Sequence, residues 1–232
     1  MKLHEHVPGA IWIASYPIRM AMAAFDARTT FVRSSDGDLV VHSPGPIDEA
    51  TRDEIAALGN VRVIVAPGNF HHLYVEGCQR AFPDAATWIC PGVDRKQPQL
   101  RYDGILGDEP PASLADFDLC VVRGGRYMIE VAMLHRPTRT LLLVDALENF
   151  TDATHGANWL VRTSFKMIGM WNTPAPAPEY RFGWSDRAAA RRSFERILSW
   201  EFDRIVVSHG ETIDAHAKEV AHRAWQPLLG AS

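Results

Sequence analysis

The chain has 232 residues, 47% hydrophobic and 22% charged, proportions that suit a globular protein with one large core, so a single domain over 1–232 is expected. Its 24 basic and 28 acidic residues give a net charge of -4 without a long run of either sign, which argues against a nucleic-acid partner. Cys78, Cys90 and Cys120 are odd in number and share no CxxC spacing, which argues against a disulfide framework and a thiolate metal site and fits a reducing cytoplasm.

The first residues, Met1 to Pro8, lack the basic segment and apolar core of a signal peptide, and no later apolar run approaches ~20 residues, so neither export nor a membrane is expected. His4 and His6 read as exposed, idle terminal residues. Ile11 to Ala14 and Thr29 to Val32 are short β-prone runs, and the turn Ser34 to Asp38 joins the second to Leu39-Val40-Val41-His42. His42 stands where this strand gives way to Ser43-Pro44-Gly45-Pro46, and reads either as a polar strand end or as a group near a site.

Ile47 to Leu58 fits a helix with acidic residues in its first turn and Gly59 at its C-cap. Val61 to Val65 is apolar apart from Arg62, as expected of a strand covered on both faces. It runs through Ala66 into Pro67-Gly68-Asn69-Phe70-His71-His72, where a strand ends, the chain breaks and two histidines enter a helix expected over Phe70 to Phe82. Asn69 is its expected N-cap, and Leu73, Cys78, Ala81 and Phe82 its expected buried stripe.

Thr87 to Cys90 reads as a strand, and Val93 to Asp118 as a loop with short helical turns. Leu119 to Arg123, Met128 to Leu134 and Thr140 to Val144 form a β-meander, with His135 in one of its turns and Asp145 directly after its last strand. Leu147 to Ile168 is expected to be mostly helical. The alternating prolines of Asn172 to Pro178 cannot be, so a Pro-rich loop or lid is expected near 170–184. Trp171 and Trp184 border it, either as an aromatic lid surface or as pins to the core, and Lys166 and Tyr180 lie within reach of a substrate anion on the first of these readings. Ser185 or Asp186 caps a helix through Trp200, and Arg204 to Val207 is a last strand running into Ser208-His209-Gly210.

His71, His72, Asp145 and His209 thus share one address, the end of an apolar strand, and in an α/β protein such ends converge on one edge of the sheet. Any one of them alone reads as a turn cap. The four together, three imidazoles and a carboxylate, suit a divalent transition metal, with zinc first and iron or manganese as alternatives.

These stretches resemble the metallo-β-lactamase-fold superfamily, an αββα sandwich with an HxHxDH loop after a strand, a later His, an Asp after an apolar strand and a His-Gly near the end. The matches are Ala66 to His72, Thr140 to Leu147 and Arg204 to Gly210, and the His-Ser-Pro after the hairpin and His-Arg-Pro-Thr-Arg-Thr-Leu before the Asp strand point to an uncharacterised branch. The motif is degenerate. If His72 matches its last His, then Pro67, Asn69 and His71 stand in place of His, His and Asp, and Leu119 to Met133 contains no later His. The resemblance therefore implies that one of the family's two metal sites is lost and the other kept in altered form by His71, His72, Asp145 and His209. His42, Asn69 and His135 are left as supporting or substrate-facing candidates. Exchanging an Asp ligand for neutral His71 removes a negative charge, which makes water on the ion more acidic.

The implied function is a hydrolase-like enzyme with one metal, acting on an unspecified small molecule such as an ester, lactone, thioester or phosphoester. Four protein ligands would close a tetrahedral zinc site, which leaves as the alternative a non-catalytic relative with a structural metal, or none, acting as a binding module. Redox chemistry at a single iron has only the ligand types in its favour.

Overall fold

The structure, a computed structural model, describes residues 1–230. Eleven strands form two sheets. The first holds, in spatial and sequence order, β1 (His4–Val7), β2 (Ile11–Met20), β3 (Ala23–Arg33), β4 (Leu39–His42), β5 (Val61–Ala66), β6 (Ala86–Ile89) and β7 (Gly104–Ile105). Pairing is antiparallel up to β4 and parallel from there. The second sheet has the order β11 (Arg204–Val207), β10 (Thr140–Leu143), β9 (Glu130–His135), β8 (Phe117–Val122). It is an antiparallel meander to which β11 adds in parallel.

The two-residue period of a strand divides this second sheet cleanly. Leu119, Val121, Val131, Met133, Leu142 and Val206 join the core shared with the first sheet. Cys120, Val122, Ala132, Leu134, Leu141, Leu143, Ile205 and Val207 pack against α6 (Arg187–Leu198) and α7 (Ala217–Leu229). On the other sheet, α1 (Glu49–Leu58) and α2 (Val75–Ala81) bury Ile55, Val75 and Cys78 against the same core as β5. The result is the expected αββα sandwich.

Several elements depart from the sequence reading. The two β-prone runs near the start belong to a hairpin with strands of 10 and 11 residues. Its middle was not legible because Pro17, Asp26 and Arg28 interrupt the apolar alternation. The N-terminal histidines are in β1, and His6 lies 3.1 Å from Asp214. The helix expected from Phe70 begins five residues later, after irregular turns, and Leu73 is exposed instead of buried. Only Trp159–Met167, α4, is helical in the stretch from Leu147 to Ile168; the turn-forming Asn149, Asp152 and Gly156 hold the rest irregular. α7 was not anticipated. Its buried Ala217, Ala221, Trp225 and Leu228 nevertheless recur at helical spacing.

The Pro-rich segment is a strap and not a lid. Ala175 exchanges two backbone hydrogen bonds with Glu148, at 2.8 and 3.1 Å, and the Ala177 N–H donates to the Asp145 carbonyl at 2.8 Å. Trp171 packs nearly parallel to Phe150 and Trp184 stacks on Tyr180 at 4.7 Å, so both tryptophans are pins. α5 (Pro178–Arg181) follows the strap and buries Tyr180 completely, which removes that phenol from any substrate role. Lys166 sits over the Trp171 ring instead of turning into the cleft described below.

His135 is at the far end of β9 from Glu130. At about 3.3 Å per residue the two are roughly 16 Å apart. Its Nδ1 lies 2.8 Å from Thr138 Oγ1 and its ring packs on Phe117, so it is a core residue of the meander and not a neighbour of the metal candidates. Burial lowers its pKa from 6.5 to about 4. The unfolded chain binds a proton there that the folded chain refuses, so its contribution to stability is lost as pH falls from about 6.5 and levels off below about 4. His135→Gln is expected to flatten the acid limb of the stability curve in that window, by up to about 3 kcal/mol. Urea unfolding of the variant and the parent from pH 7 to pH 4 measures this; parallel limbs would refute the neutral buried imidazole.

Candidate metal centre

Parallel strands end in step, and the registers show where. Leu143 pairs with Val207, so Asp145 and His209 leave their sheet two residues later at the same level. In the other sheet His42 pairs with Val65, which brings His42 and the loop after Ala66 to the facing edge. His71, Asp145 and His209 meet between these edges, with one nitrogen or oxygen from each within 4.8 Å of the others. His71 Nε2 lies 3.4 Å from both Asp145 oxygens and His209 Nε2 3.6 Å from Oδ1.

Each imidazole is fixed by its other nitrogen. His209 Nδ1 is 3.2 Å from the Asp26 carbonyl, which can only accept, so that nitrogen carries the proton and Nε2 presents a lone pair. His71 Nδ1 is 2.8 Å from Ser43 Oγ, which orients Nε2 toward Asp145 in the same way. Ser43 has a φ of +55°, an uncommon conformation for a residue with a Cβ, and it puts the hydroxyl under His71. Arg28, buried beneath β11, donates to the carbonyls of Val207 and Gly210 and so ties both sides of His209 to β3. Burial, then His71, bring the His209 pKa down to about 4, which keeps it neutral, as a ligand must be. Burial raises the Asp145 carboxyl, but His71, His209 and Lys96 outweigh it and hold it below its ordinary range.

His72, expected as a fourth member, lies outside this group. Its Nε2 is 3.3 Å from Gln97 Nε2, and burial and Lys96 lower its pKa. Both histidines line the cleft and His72 is the more buried, but only His71 reaches Asp145 and His209. Asn69 departs from expectation too. It accepts from the Ile129 N–H and donates to the Tyr127 carbonyl, clamping the loop before β9 instead of capping a helix or facing a ligand. His42 is fully buried beside His71, and burial lowers its pKa to about 3; it supports the site from behind as a neutral ring.

Two carboxylates escaped the sequence reading. Glu130 accepts from the backbone N–H groups of Val144 at 3.2 Å, Asp145 at 2.7 Å and Ala146. Burial and the neighbouring Asp145 push its pKa up to about 7 against the pull of those three donors. Its signal was a lone charge inside the apolar run Met128 to Leu134. Glu148 is buried in the wall of the cleft, and its Oε2 has no hydrogen-bond partner among the described residues. Burial, Asp145, Glu179 and Glu130 raise its pKa well above the usual range.

The group lies in a cleft of about 520 Å³, within the range of small-molecule sites. Tyr16, Ile18 and Phe25 of the hairpin, with Val161 and Phe165 of α4, make one wall apolar. Asp145 and Glu148 make the other polar.

The sequence matches no protein-family model and no curated protein. Solved structures do match. DIM-1 metallo-β-lactamase exposed to ceftazidime superposes with a TM-score of 0.67 at 12% identity, over 97% of this chain and 96% of that one. The chain has the metallo-β-lactamase fold. The metallo-β-lactamase from Hirschia baltica gives 0.65 at 9% identity, over 100% and 98% of the two chains. FIM-1 from Pseudomonas aeruginosa, in its mono-zinc form, gives 0.64 at 10% identity over 99% and 96%.

Two outcomes are expected. His71→Ala and His209→Ala lower metal content after loading with zinc, whereas His72→Ala retains it, as read by elemental analysis of dialysed protein; equal loss in all three would refute the placement of His72 outside the ligand group. Glu130→Ala strands three buried backbone donors, at about 1–3 kcal/mol each, and is expected to lower the urea midpoint sharply. A midpoint within error of the parent would show that those donors do not depend on it.

Proposed function

We propose that the chain is a metal-dependent hydrolase working with a single divalent ion on a small ester, lactone, thioester or phosphoester. The supporting observation is that His71, Asp145 and His209 converge on one point in the cleft while His72 does not. Three protein donors leave a coordination position free for a small molecule, the arrangement of catalytic and not of closed structural zinc sites. The donors suit such an ion: two imidazoles whose free nitrogens face a carboxylate held in its ionised form. Zinc is the first candidate, and iron and manganese use the same ligand types. That FIM-1 exists in a mono-zinc form supports the sufficiency of one ion in this fold.

When bound, the ion supplies Lewis acidity toward a carbonyl or phosphoryl oxygen and lowers the pKa of water. The chain's own residues do the rest. The Asp26 carbonyl holds His209 in the productive tautomer, the Ser43 hydroxyl orients the His71 ring, and Glu130 fixes the backbone that carries Asp145. The apolar wall excludes water along one side of a bound molecule. Glu148, whose Oε2 is free, meets the polar atoms of a substrate on the other side. The three buried, unpaired cysteines support a reducing compartment such as the cytoplasm.

Elemental analysis combined with a screen of aryl esters, thioesters and phosphoesters tests this reading. One equivalent of metal and turnover that falls at least about a hundredfold in Asp145→Asn are expected. Metal-free protein that folds normally would refute it and leave a binding module.

A further inference from the structure

We propose that the mouth of the cleft docks on an anionic lipid surface. Met22, Leu73, Trp159, Met167 and Phe182 are each 70–80% exposed, an unusual state for side chains of this size, and Tyr127 is 55% exposed. Scattered singly over a surface they would need no explanation. They are not scattered: hydrogen bonds between their neighbours link them into one series that reaches the cleft at Leu73.

Met22 is the turn of the β2–β3 hairpin, and its carbonyl accepts from Asn158, the residue before Trp159, at 2.7 Å. α4 leads from Trp159 to Met167. The Ile168 carbonyl accepts from Arg181, the neighbour of Phe182, at 2.8 Å. The Gly183 carbonyl accepts from the N–H of Arg126, beside Tyr127, at 2.8 Å. The Tyr127 carbonyl accepts from Asn69, and the chain from there carries Phe70 and Leu73 into the cleft rim. The series therefore runs from the hairpin turn through α4 and α5 to the cleft that holds the metal candidates.

Basic side chains are interleaved with it. Lys96 stands over Phe70, Arg126 over Tyr127, Arg181 over Phe182, and Arg162 over Trp171. A chain of net charge -4 has thus gathered cations among its exposed apolar groups. Of the acids beside this stretch, Asp152 is occupied by Trp171 Nε1 and Asn172, while Glu179 of α5 is exposed at the cleft and is outnumbered by the cations. Aromatic and long apolar side chains alternating with Arg and Lys are the composition that a bilayer interface selects: rings and methylenes enter the acyl boundary while the charges stay at the phosphates. A protein partner with an acidic rim shares the charge but not the need for so many flexible, fully solvated apolar groups. No helix among the described residues is long and apolar enough to cross a membrane, so the contact is peripheral. Docked in this way, the apolar wall of Ile18, Phe25 and Phe165 opens toward the acyl region, which favours an amphiphilic substrate.

The test is co-sedimentation of the whole chain with vesicles of phosphatidylcholine alone and of phosphatidylcholine with phosphatidylglycerol. Binding to the anionic vesicles is expected, with weaker binding to the neutral ones. A Met22→Ser, Trp159→Ser double variant, altered only at exposed positions, is expected to bind roughly tenfold or more weakly to both. Arg162→Glu with Arg181→Glu should weaken binding to the anionic vesicles alone. Tryptophan emission quenched by brominated lipid, and less so in Trp159→Phe, gives a second reading. His209→Ala should bind vesicles like the parent, so failure of the hydrolase reading would leave this result standing. Failure to sediment with anionic vesicles, binding unchanged in the double variant, or a dimer in ultracentrifugation that the double variant abolishes would each overturn the proposal, the last by showing that the series pairs two copies.

Discussion

The candidate site depends on one buried carboxylate. Glu130 lies in a strand that is otherwise apolar, where an unpaired charge would cost several kcal/mol. It is stabilised there by three successive backbone N–H groups at the point where β10 ends and the chain turns into the site loop. Those three N–H groups would otherwise be buried without acceptors, because the parallel ladder with β11 stops at Leu143. Each half satisfies the other, and the outcome is a rigid loop that presents Asp145 at a fixed height beside His209. The strap through Ala175 and Ala177 holds the same loop from the opposite side.

Electrostatically the centre is a small set of groups held in the states that a cation requires. Both inward imidazoles give one nitrogen to an oxygen and the other to the shared space, and the carboxylate between them stays ionised although buried. Burial, and after it the neighbouring Asp145, raise the pKa of both Glu130 and Glu148, so these carboxyls favour the protonated form beside the ionised Asp145. Such shifts are a general mark of functional sites.

Much of this was legible in the chain. The strands that build the site are largely apolar runs, each followed within a few residues by ionisable ones, so His71, His72, Asp145 and His209 read as neighbours from the chain alone. What periodicity could not settle was direction. His71 and His72 are adjacent, and which of them reaches Asp145 depends on an irregular turn held by Asn69 gripping residues 60 positions away. The same limit explains Asn69, an expected N-cap that is instead a tertiary clamp, and Glu130, whose three partners belong to a different strand end. The hairpin was underestimated because Pro17, Asp26 and Arg28 obey the needs of the site and not those of a half-buried strand. Those interruptions were themselves a signal: residues that break a pattern inside an element often answer to something beyond it.

The Asp26–His209 hydrogen bond joins residues 183 positions apart. A ligand set of which the last member arrives with the final strand cannot assemble on a growing chain. The two sheets can each begin to collapse earlier, since the first is complete by Ile105 and the meander by Leu143. β11 then has to find β10 across sixty residues of intervening chain, the slow, non-local kind of pairing. The full candidate group therefore forms only once β11 has paired with β10, because its third member, His209, follows that strand.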